Sequence, residues 1–338
     1  MSYLNGRVHV VGIGGAGMSG IARVLLARGI EVSGSDAKDS RRLQALKPLG
    51  GKVFVGHDAD NLLISGSKPS CVVISTAIGQ DNPEVVKATE LGIPVVSRAI
   101  ALAELLENTT AISVAGTHGK TTTTSMVTVI LQNAGKDPSF VIGSEMNESG
   151  SNAHQGSGEL FVVEADESDG TFLVLPTTLG IVTNVEADHL NYWGTYEAIE
   201  QAFVDFIVGT GSRNGCAVVC GDDEGAKVVT KRARELGANV ITYGQGKEND
   251  AVLTLLPSGS VGSEFTISYQ GQTHGPIKLL VPGAHNALNA TAAFIAALTQ
   301  GCTSQQGVDG LQSFTGTHRR FEFRGEVSGV RVFDDYAH

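Results

Sequence analysis

The chain has 338 residues, with 24 Lys or Arg against 35 Asp or Glu and a net charge of −11. That length exceeds what one core sustains, so two or more domains are expected, and 41% apolar against 17% charged content fits packed domains, not a disordered chain. The acidic balance and the lack of a basic run exclude a nucleic-acid scaffold, so any phosphate site has to be local, made of backbone amides and a few cations. No apolar run approaches the roughly 18 residues of a membrane span. The sequence opens on strand-like Arg7-Val-His-Val-Val-Gly12 with no secretory leader. Four cysteines are too few for a disulfide framework, and Cys216 and Cys220 fall in one apolar strand-like run as buried small residues. A reduced, cytoplasmic protein is expected.

The first element is a strand over Val8–Val11 that breaks into Gly12-Ile-Gly14-Gly15-Ala16-Gly17 and then a helix from Met18 to Arg28, stopped by Gly29. This fits the G-x-G-x-x-G turn, in which glycines let a diphosphate approach backbone amides and a helix N-terminus. Glu31–Asp36 reads as the next strand, and Asp36, 19 residues past Gly17, is placed to hold a ribose. The turn reports a diphosphate and not a nicotinamide; a UDP-linked sugar satisfies it equally. Strands at Val53–Val55, Cys71–Ser75 and Pro94–Ser97, with a helix near Asn82–Leu91, extend a parallel β-α-β pattern that should end near Asn108.

A second opening follows. The apolar run Ala111–Ala115 breaks into Gly116-Thr117-His118-Gly119-Lys120-Thr121-Thr122 at the start of an apolar-periodic helix. Amides at the helix start converge on phosphate there, Lys120 adds a point charge, and Thr121 is the Walker-type hydroxyl for Mg²⁺. Val114 stands where the full Walker pattern has its first glycine, so the loop is a compact variant. A nucleoside triphosphate is the expected ligand.

Strands over Leu160–Val163, Leu179–Thr183, Ala217–Val219 and Val240–Tyr243 continue this second unit. Glu164-Ala-Asp166-Glu167-Ser-Asp169 and Asn184-Val-Glu-Ala-Asp-His189 each follow a strand, where open α/β sheets place ligands. Carboxylates beside a triphosphate suit Mg²⁺, a hard cation that wants oxygen ligands. A β-rich stretch over Ala251–Val281 precedes an alanine-rich helix, Asn286–Leu298, whose Asn286 and Asn289 share a face and could reach a nucleotide or cap the helix. Arg319-Arg320 and Asp334-Asp335 close the chain. A dehydrogenase would use the first glycine turn and leave the phosphate loop and the acids without a role. A binding module without catalysis is the other alternative.

Taken in order, these motifs resemble the Mur ligase family: Gly12 through Gly20, Ser35-Asp36, Gly116 through Thr122, Glu164 through Asp169, Glu186-Ala-Asp-His189, His285 through Asn289, Arg319-Arg-Phe321 and Asp334-Asp-Tyr336. The first of them is most similar to the members that join L-alanine to UDP-N-acetylmuramate. The resemblance implies an α/β fold: a Rossmann-like UDP-sugar domain (1–108), a central P-loop ATPase-type domain with a small added β-sheet (109–315) and the start of a third domain (316–338).

It implies ATP and Mg²⁺ as cofactors and an acyl phosphate intermediate. Lys120, Glu164, His189 and Arg320 carry catalysis by this resemblance. Thr121, Glu164 and His189 hold metal, while Asn286, Asn289, Arg320 and Asp335 meet the nucleotide. His189 and Tyr336 meet the amino acid. Gly12, Gly14, Gly15, Ala16, Gly17, Ser35, Asp36, His57, Ser75, Thr76 and Ala77 meet the UDP-sugar. Asn191 and His318 depart from the family pattern of aspartate and glycine at those places. The family continues past His338 with a whole domain, so a truncated chain is expected that binds UDP-N-acetylmuramate without ligating alanine.

Overall fold

A computed structural model describes residues 2–147, 150–257, 262–317, 322–327 and 330–334. The first sheet is built from β1 (Val8–Val11), β2 (Val32–Asp36), β3 (Lys52–Val55), β4 (Cys71–Ile74) and β5 (Val95–Ser97), in the order β3-β2-β1-β4-β5. Every pairing is parallel. Strand β1, Val-His-Val-Val, is buried throughout, as expected for a strand covered on both faces. The covering helices are α1 (Ala16–Ala27), α2 (Arg41–Gln44), α3 (Pro83–Glu90) and α4 (Arg98–Leu106). Strand order reverses between β1 and β4, so the turn after β1 (Gly12–Gly17) and the turn after β4 (Ser75–Ala77) flank the crevice where such sheets take ligands.

Local sequence sets the helix starts. Asn82 caps α3 by accepting the Glu84 amide, with Pro83 at the first helical position, and Ser97 caps α4 by accepting the Ile100 amide. Helix α1 has Gly15 at its cap and no side-chain acceptor, and its first helical bond runs from Ser19 to the Gly15 carbonyl. The amides of Ala16, Gly17 and Met18 are thereby left for an anion.

The second unit starts at β6 (Thr110–Ala115) and α5 (Lys120–Asn133), then runs through β7 (Ser139–Val141), β8 (Ala153–His154), β9 (Leu160–Glu164), α6 (Thr171–Val174) and β10 (Thr177–Val182). It continues with α7 (Leu190–Trp193), α8 (Tyr196–Gly211), β11 (Cys216–Cys220), α9 (Glu224–Glu235) and β12 (Val240–Gly244). The antiparallel strands β13 (Ala251–Leu255), β14 (Ser263–Tyr269) and β15 (Gln272–Leu279) extend its edge before α10 (Ala284–Thr299) and α11 (Ser304–Ser313). The ten strands form one sheet, ordered β15-β14-β13-β12-β11-β10-β6-β9-β7-β8. A separate antiparallel pair, β16 (Glu322–Val327) and β17 (Val330–Asp334), follows.

Strand β6 lies between β10 and β9 and feeds both layers of core. Ala111 and Ala115 join the cluster with Phe203 and Ile207 of α8, while Ile112 and Val114 join the cluster with Ile130 of α5 and Phe294 of α10. A fully buried Val, Ile or Phe side chain of this kind contributes about 1.5–3 kcal/mol. The first of these clusters also contains Val8, Ile21 and Leu105, so one apolar body joins the two sheets. Gly20 of α1 sits against Val141 and Ala153, and a side chain begun there would lie 3.0 Å from Val141 Cγ1. Asn152 Nδ2 donates to the Ala16 carbonyl at 2.7 Å, which fixes the start of α1 on the second unit.

Candidate active site

The phosphate loop leaves β6 at Gly116 and enters α5 at Lys120. Gly116 has φ +131°, and a Cβ there would run into Thr183; Gly119 has φ +82°, and a Cβ there would lie 2.8 Å from Asn289 Oδ1. Both positions require glycine. Val114 is a fully buried strand residue of the core, so the glycine missing from the Walker pattern falls outside the loop proper. The turn after β10 clamps the loop from outside. The His118 amide donates to Asn184 Oδ1 at 2.7 Å, the Thr117 amide to the Asn184 carbonyl at 3.3 Å, and Thr183 Oγ1 to the His118 carbonyl at 2.5 Å. The first bond of α5 joins the Thr123 amide to the Gly119 carbonyl, which leaves the Lys120 and Thr122 amides at the positive end of a 14-residue helix.

Lys120 folds back over this loop. Its Nζ donates to the Gly116 carbonyl at 2.7 Å and to Glu167 Oε1 at 2.8 Å. Glu167 is 3% exposed, and its Oε2 is buried with no hydrogen-bond partner. Burial pushes the Glu167 carboxyl up, and the Lys120 charge opposes that only in part. Asp166 goes the other way: burial would raise it, but hydrogen bonds from Ser168 and the charges of Arg98 and Lys120 hold it below the usual carboxylate range.

Glu164, the last residue of β9, accepts Thr121 Oγ1 at 3.0 Å on one oxygen and the Gly143 amide at 2.8 Å on the other. Thr121 and Glu164 therefore present adjacent oxygens beside the open amides of α5, a donor set that fits Mg²⁺ completed by phosphate and water. His189, at φ +55°, places Nε2 at 3.8 Å from Glu167 Oε1 and 3.6 Å from Asp188 Oδ2. Its neighbours are thus Glu167 and Asp188, and the unpartnered Glu167 Oε2 is the atom that fits a second cation at this position. Among the described residues no three His, Cys, Asp or Glu side chains gather as one metal cage. Thr117, His118, Lys120, Glu164, Asp166 and His189 line a cavity of about 350 Å³.

A second cavity, of about 420 Å³, opens beside the first, and Gly119 and Thr122 line both. Val281, Pro282, Asn286, Asn289 and Phe314 form its walls, a more apolar lining suited to a base and ribose. Asn286 does not cap α10. Gly283 occupies the cap, and Asn286 Nδ2 donates to the Pro282 carbonyl at 2.7 Å. Arg320, Asp335 and Tyr336 lie outside the described residues.

Two residues of the first glycine turn's expected site also bond within the protein. Asp36, expected to hold a ribose, turns back on the turn: Oδ2 accepts the Gly14 amide at 2.9 Å and Oδ1 the Lys38 amide at 3.1 Å. Each oxygen thus accepts one backbone amide and keeps lone pairs for a further donor. Ser35, expected at the ligand, is fully buried; it bonds His57 Nδ1 at 2.8 Å and Glu84 Oε2 at 2.5 Å. Gly12 and Gly15 shape the turn, with the Gly12 and Ile13 amides on the Ser35 carbonyl and the Gly15 amide on the Gly12 carbonyl. Ala16 and Gly17 keep their amides open, as described above. Ser75 and Thr76 line a third cavity, of about 300 Å³, together with Arg98, Asp169 and Thr171, and the neighbouring Ala77 is exposed.

Arg98 was in no motif, and it ties the two units together. Its Nη2 lies 3.1 Å from Asp169 Oδ2 and 3.3 Å from Asp166 Oδ2. Its Nη1 lies 3.0 Å from where a Cβ on Gly17 would stand. The third glycine of the turn thus makes room for a guanidinium that faces the acids beside the phosphate loop. Glu84 was likewise in no motif, while Asn184 heads a motif that gives no sign of its clamp on the phosphate loop. The only sequence sign for Arg98 is an arginine directly after a Ser cap at a strand end, which many surface helices share.

Comparison with known proteins identifies relatives of both units. Residues 7–110 match the family described as Mur ligase family, catalytic domain, and residues 114–297 match Mur ligase middle domain. A UDP-N-acetylmuramate–L-alanine ligase of Acidothermus cellulolyticus is 50% identical over 333 residues, which cover 98% of this chain and 69% of that one. The crystal structure of UDP-N-acetylmuramate-alanine ligase from Thermotoga maritima superposes with a TM-score of 0.84 at 32% identity, covering 98% of this chain and 74% of that one. A UDP-N-acetylmuramate:L-alanyl-γ-D-glutamyl-meso-diaminopimelate ligase from Neisseria meningitides gives 0.82 at 28% identity, covering 93% and 99%.

Proposed function

The chain belongs to the Mur ligase family, and from that membership we propose that it serves ATP-dependent joining of L-alanine to the carboxylate of UDP-N-acetylmuramate in peptidoglycan precursor synthesis. One observation carries the reading: a single guanidinium, Arg98, faces both the diphosphate turn at Gly17 and the acid cluster beside the phosphate loop. On this reading a donor phosphate and a UDP-linked acceptor would bind on either side of that one cation.

In the proposed reaction the muramyl carboxylate attacks the γ-phosphorus and ADP leaves, giving an acyl phosphate. The alanine amine then attacks the acyl carbon, loses a proton and releases inorganic phosphate. Two anions must approach each other, so cationic shielding decides the barrier. Lys120 and the open amides of α5 hold the phosphates, and Asn286 and Asn289 line the nucleoside side. A Mg²⁺ ion held by Thr121 and Glu164 would neutralise phosphate charge. His189 sits where the acceptor and amine would meet it, with Arg320, Asp335 and Tyr336 assigned by resemblance alone.

We further propose the division 1–108, 109–315 and 316–338 into domains and a cytoplasmic setting; among the described residues no helix is long and apolar enough to cross a membrane. Phosphate release from ATP tests the reading. It is expected to depend on UDP-N-acetylmuramate and to rise with L-alanine in the full-length protein, and release indifferent to the UDP-sugar would overturn it.

A further inference from the structure

Beneath the UDP-sugar crevice lies a carboxylate that the reaction does not use. Glu84 is fully buried. Its Oε2 accepts Ser35 Oγ at 2.5 Å and lies 3.6 Å from both His9 Nε2 and His57 Nδ1. Its Oε1 accepts Asn61 Nδ2 at 2.6 Å and the Asp58 amide at 3.4 Å. Four segments therefore meet on one side chain: β1 through His9, β2 through Ser35, the stretch after β3 through His57, Asp58 and Asn61, and the first turn of α3. Burial would raise this carboxyl, but the His9 ring beside it and the hydrogen bonds from Ser35 and Asn61 outweigh it and hold it below the usual range. The start of α3 adds its positive end. Glu84 is a buried anion, and buried anions without a task are costly.

The protons around it can be counted. An ionised carboxylate only accepts, so the single Ser35 hydroxyl proton points at Glu84. The Ser35 oxygen then has only lone pairs to offer His57, 2.8 Å away, and His57 Nδ1 has to be the N–H that donates to it. That fixes the ring's tautomer. Nε2 is the remaining ring atom, and the His57 side chain is 20% exposed.

We propose that Glu84 is a positioning residue for UDP-sugar binding: acting through Ser35, it locks His57 as the Nδ1–H imidazole so that Nε2 is a hydrogen-bond acceptor for a donor group of the nucleoside diphosphate. The ring so held reads an N–H or hydroxyl of the ligand, not a phosphate oxygen. The proposal rests on the reading that this crevice takes the UDP-sugar.

Nitrogen-resolved NMR of the histidines in the full chain without ligand tests the lock directly. Wild type is expected to show His57 with a proton on Nδ1 and none on Nε2 above the pH at which the ring titrates, and Glu84→Gln or Ser35→Ala to show a mixture. UDP-N-acetylmuramate titrations supply the second arm. Glu84→Gln, Ser35→Ala and His57→Ala should each weaken binding roughly fivefold to tenfold, one hydrogen bond's worth. In a His57→Ala background the Ser35→Ala change should add nothing. A His57 ring protonated on Nε2 in wild type overturns the lock, as does full additivity of the Ser35 and His57 changes. Failure of the wild type to bind UDP-N-acetylmuramate at all, with the tautomer as expected, instead overturns the reading of the crevice. Should Glu84→Gln not fold, Ser35→Ala carries both arms.

Discussion

Lys120 Nζ lies 2.8 Å from Glu167 Oε1, so the lysine expected to meet phosphate is held by a carboxylate that is itself 3% exposed. The pair makes the lysine structural as well as chemical. Lys120→Ala removes a charge-assisted phosphate contact of roughly 1.5–3 kcal/mol, and it also strips a buried charge of its partner, which costs about 3–5 kcal/mol of stability.

The sign of the pH effect follows. The folded Glu167 carboxyl titrates above its ordinary value, so its contribution to stability is fully present below the unfolded value and is lost as pH rises through the folded one. Without Lys120 the folded value rises further. Thermal unfolding should therefore separate Lys120→Ala from wild type widely at pH 8 and little below the ordinary carboxyl range. A gap that does not depend on pH would show that Glu167 is not the partner that matters.

Glu164→Gln keeps the side chain's shape but removes the charge and leaves one acceptor oxygen where Glu164 uses two, for Thr121 and Gly143. ATP titrations with and without Mg²⁺ should show that the variant has lost most of the metal's enhancement of binding. UDP-N-acetylmuramate affinity should stay within about twofold, the scatter expected of a distant independent site.

At Gly14 a Cβ would lie 2.9 Å from both Asp36 Oδ2 and Ser40 Oγ. A bulky residue, as in Gly14→Val, has to displace the carboxylate that closes the turn. UDP-sugar binding should be lost by calorimetry with ATP binding kept. Retained UDP-sugar affinity would remove this turn from the site.

Arg98→Ala tests the tie between the units. Asp166 titrates below its ordinary value, so its contribution is present at neutral pH and lost as pH falls through the folded value. The variant should be of order 1 kcal/mol less stable at pH 7, and the difference should shrink in acid. It should also weaken UDP-N-acetylmuramate binding and lower the salt sensitivity of what remains, since one screened charge contact is gone.

A polypeptide limited to residues 1–338 spans about 69% of the length of a curated relative. It is expected to bind UDP-N-acetylmuramate and to form no UDP-N-acetylmuramoyl-alanine in an overnight reaction. A clear product peak by mass spectrometry would show that these residues suffice for ligation.

Where the chemistry is local in the chain, the sequence was legible. The run from β6 through Thr122 is a strand, a turn and a helix start, and both of its glycines stand where a side chain would meet Thr183 or Asn289. The alternation of strands and helices likewise placed β1 to β5 in a parallel sheet. Function that depends on distant partners was not legible. Asp36 has the spacing of a ribose ligand, but spacing does not reveal that the Gly14 amide is nearer. Ser35 has a serine's ordinary look in the sequence, which does not reveal its bonds to His57 and Glu84. Glu84 was only a helical residue, because His9, Ser35 and Asn61 are brought to it by three other segments. Arg98 had no motif because its acids come from a different sheet.

The contact between Arg98 and Asp166–Asp169 has one more consequence. The chain changes sheets between Leu106 and Thr110, which looks like a natural place to join halves from two relatives. The charges do not break there. A chimaera whose first 108 residues come from elsewhere inherits two acids that expect an arginine from the other parent, and Gly17 and Gly20 contours cut to fit a particular neighbour. Recombination at this seam has to carry residues 17, 20, 98, 152, 166 and 169 as one block, whatever the order in which they occur along the sequence.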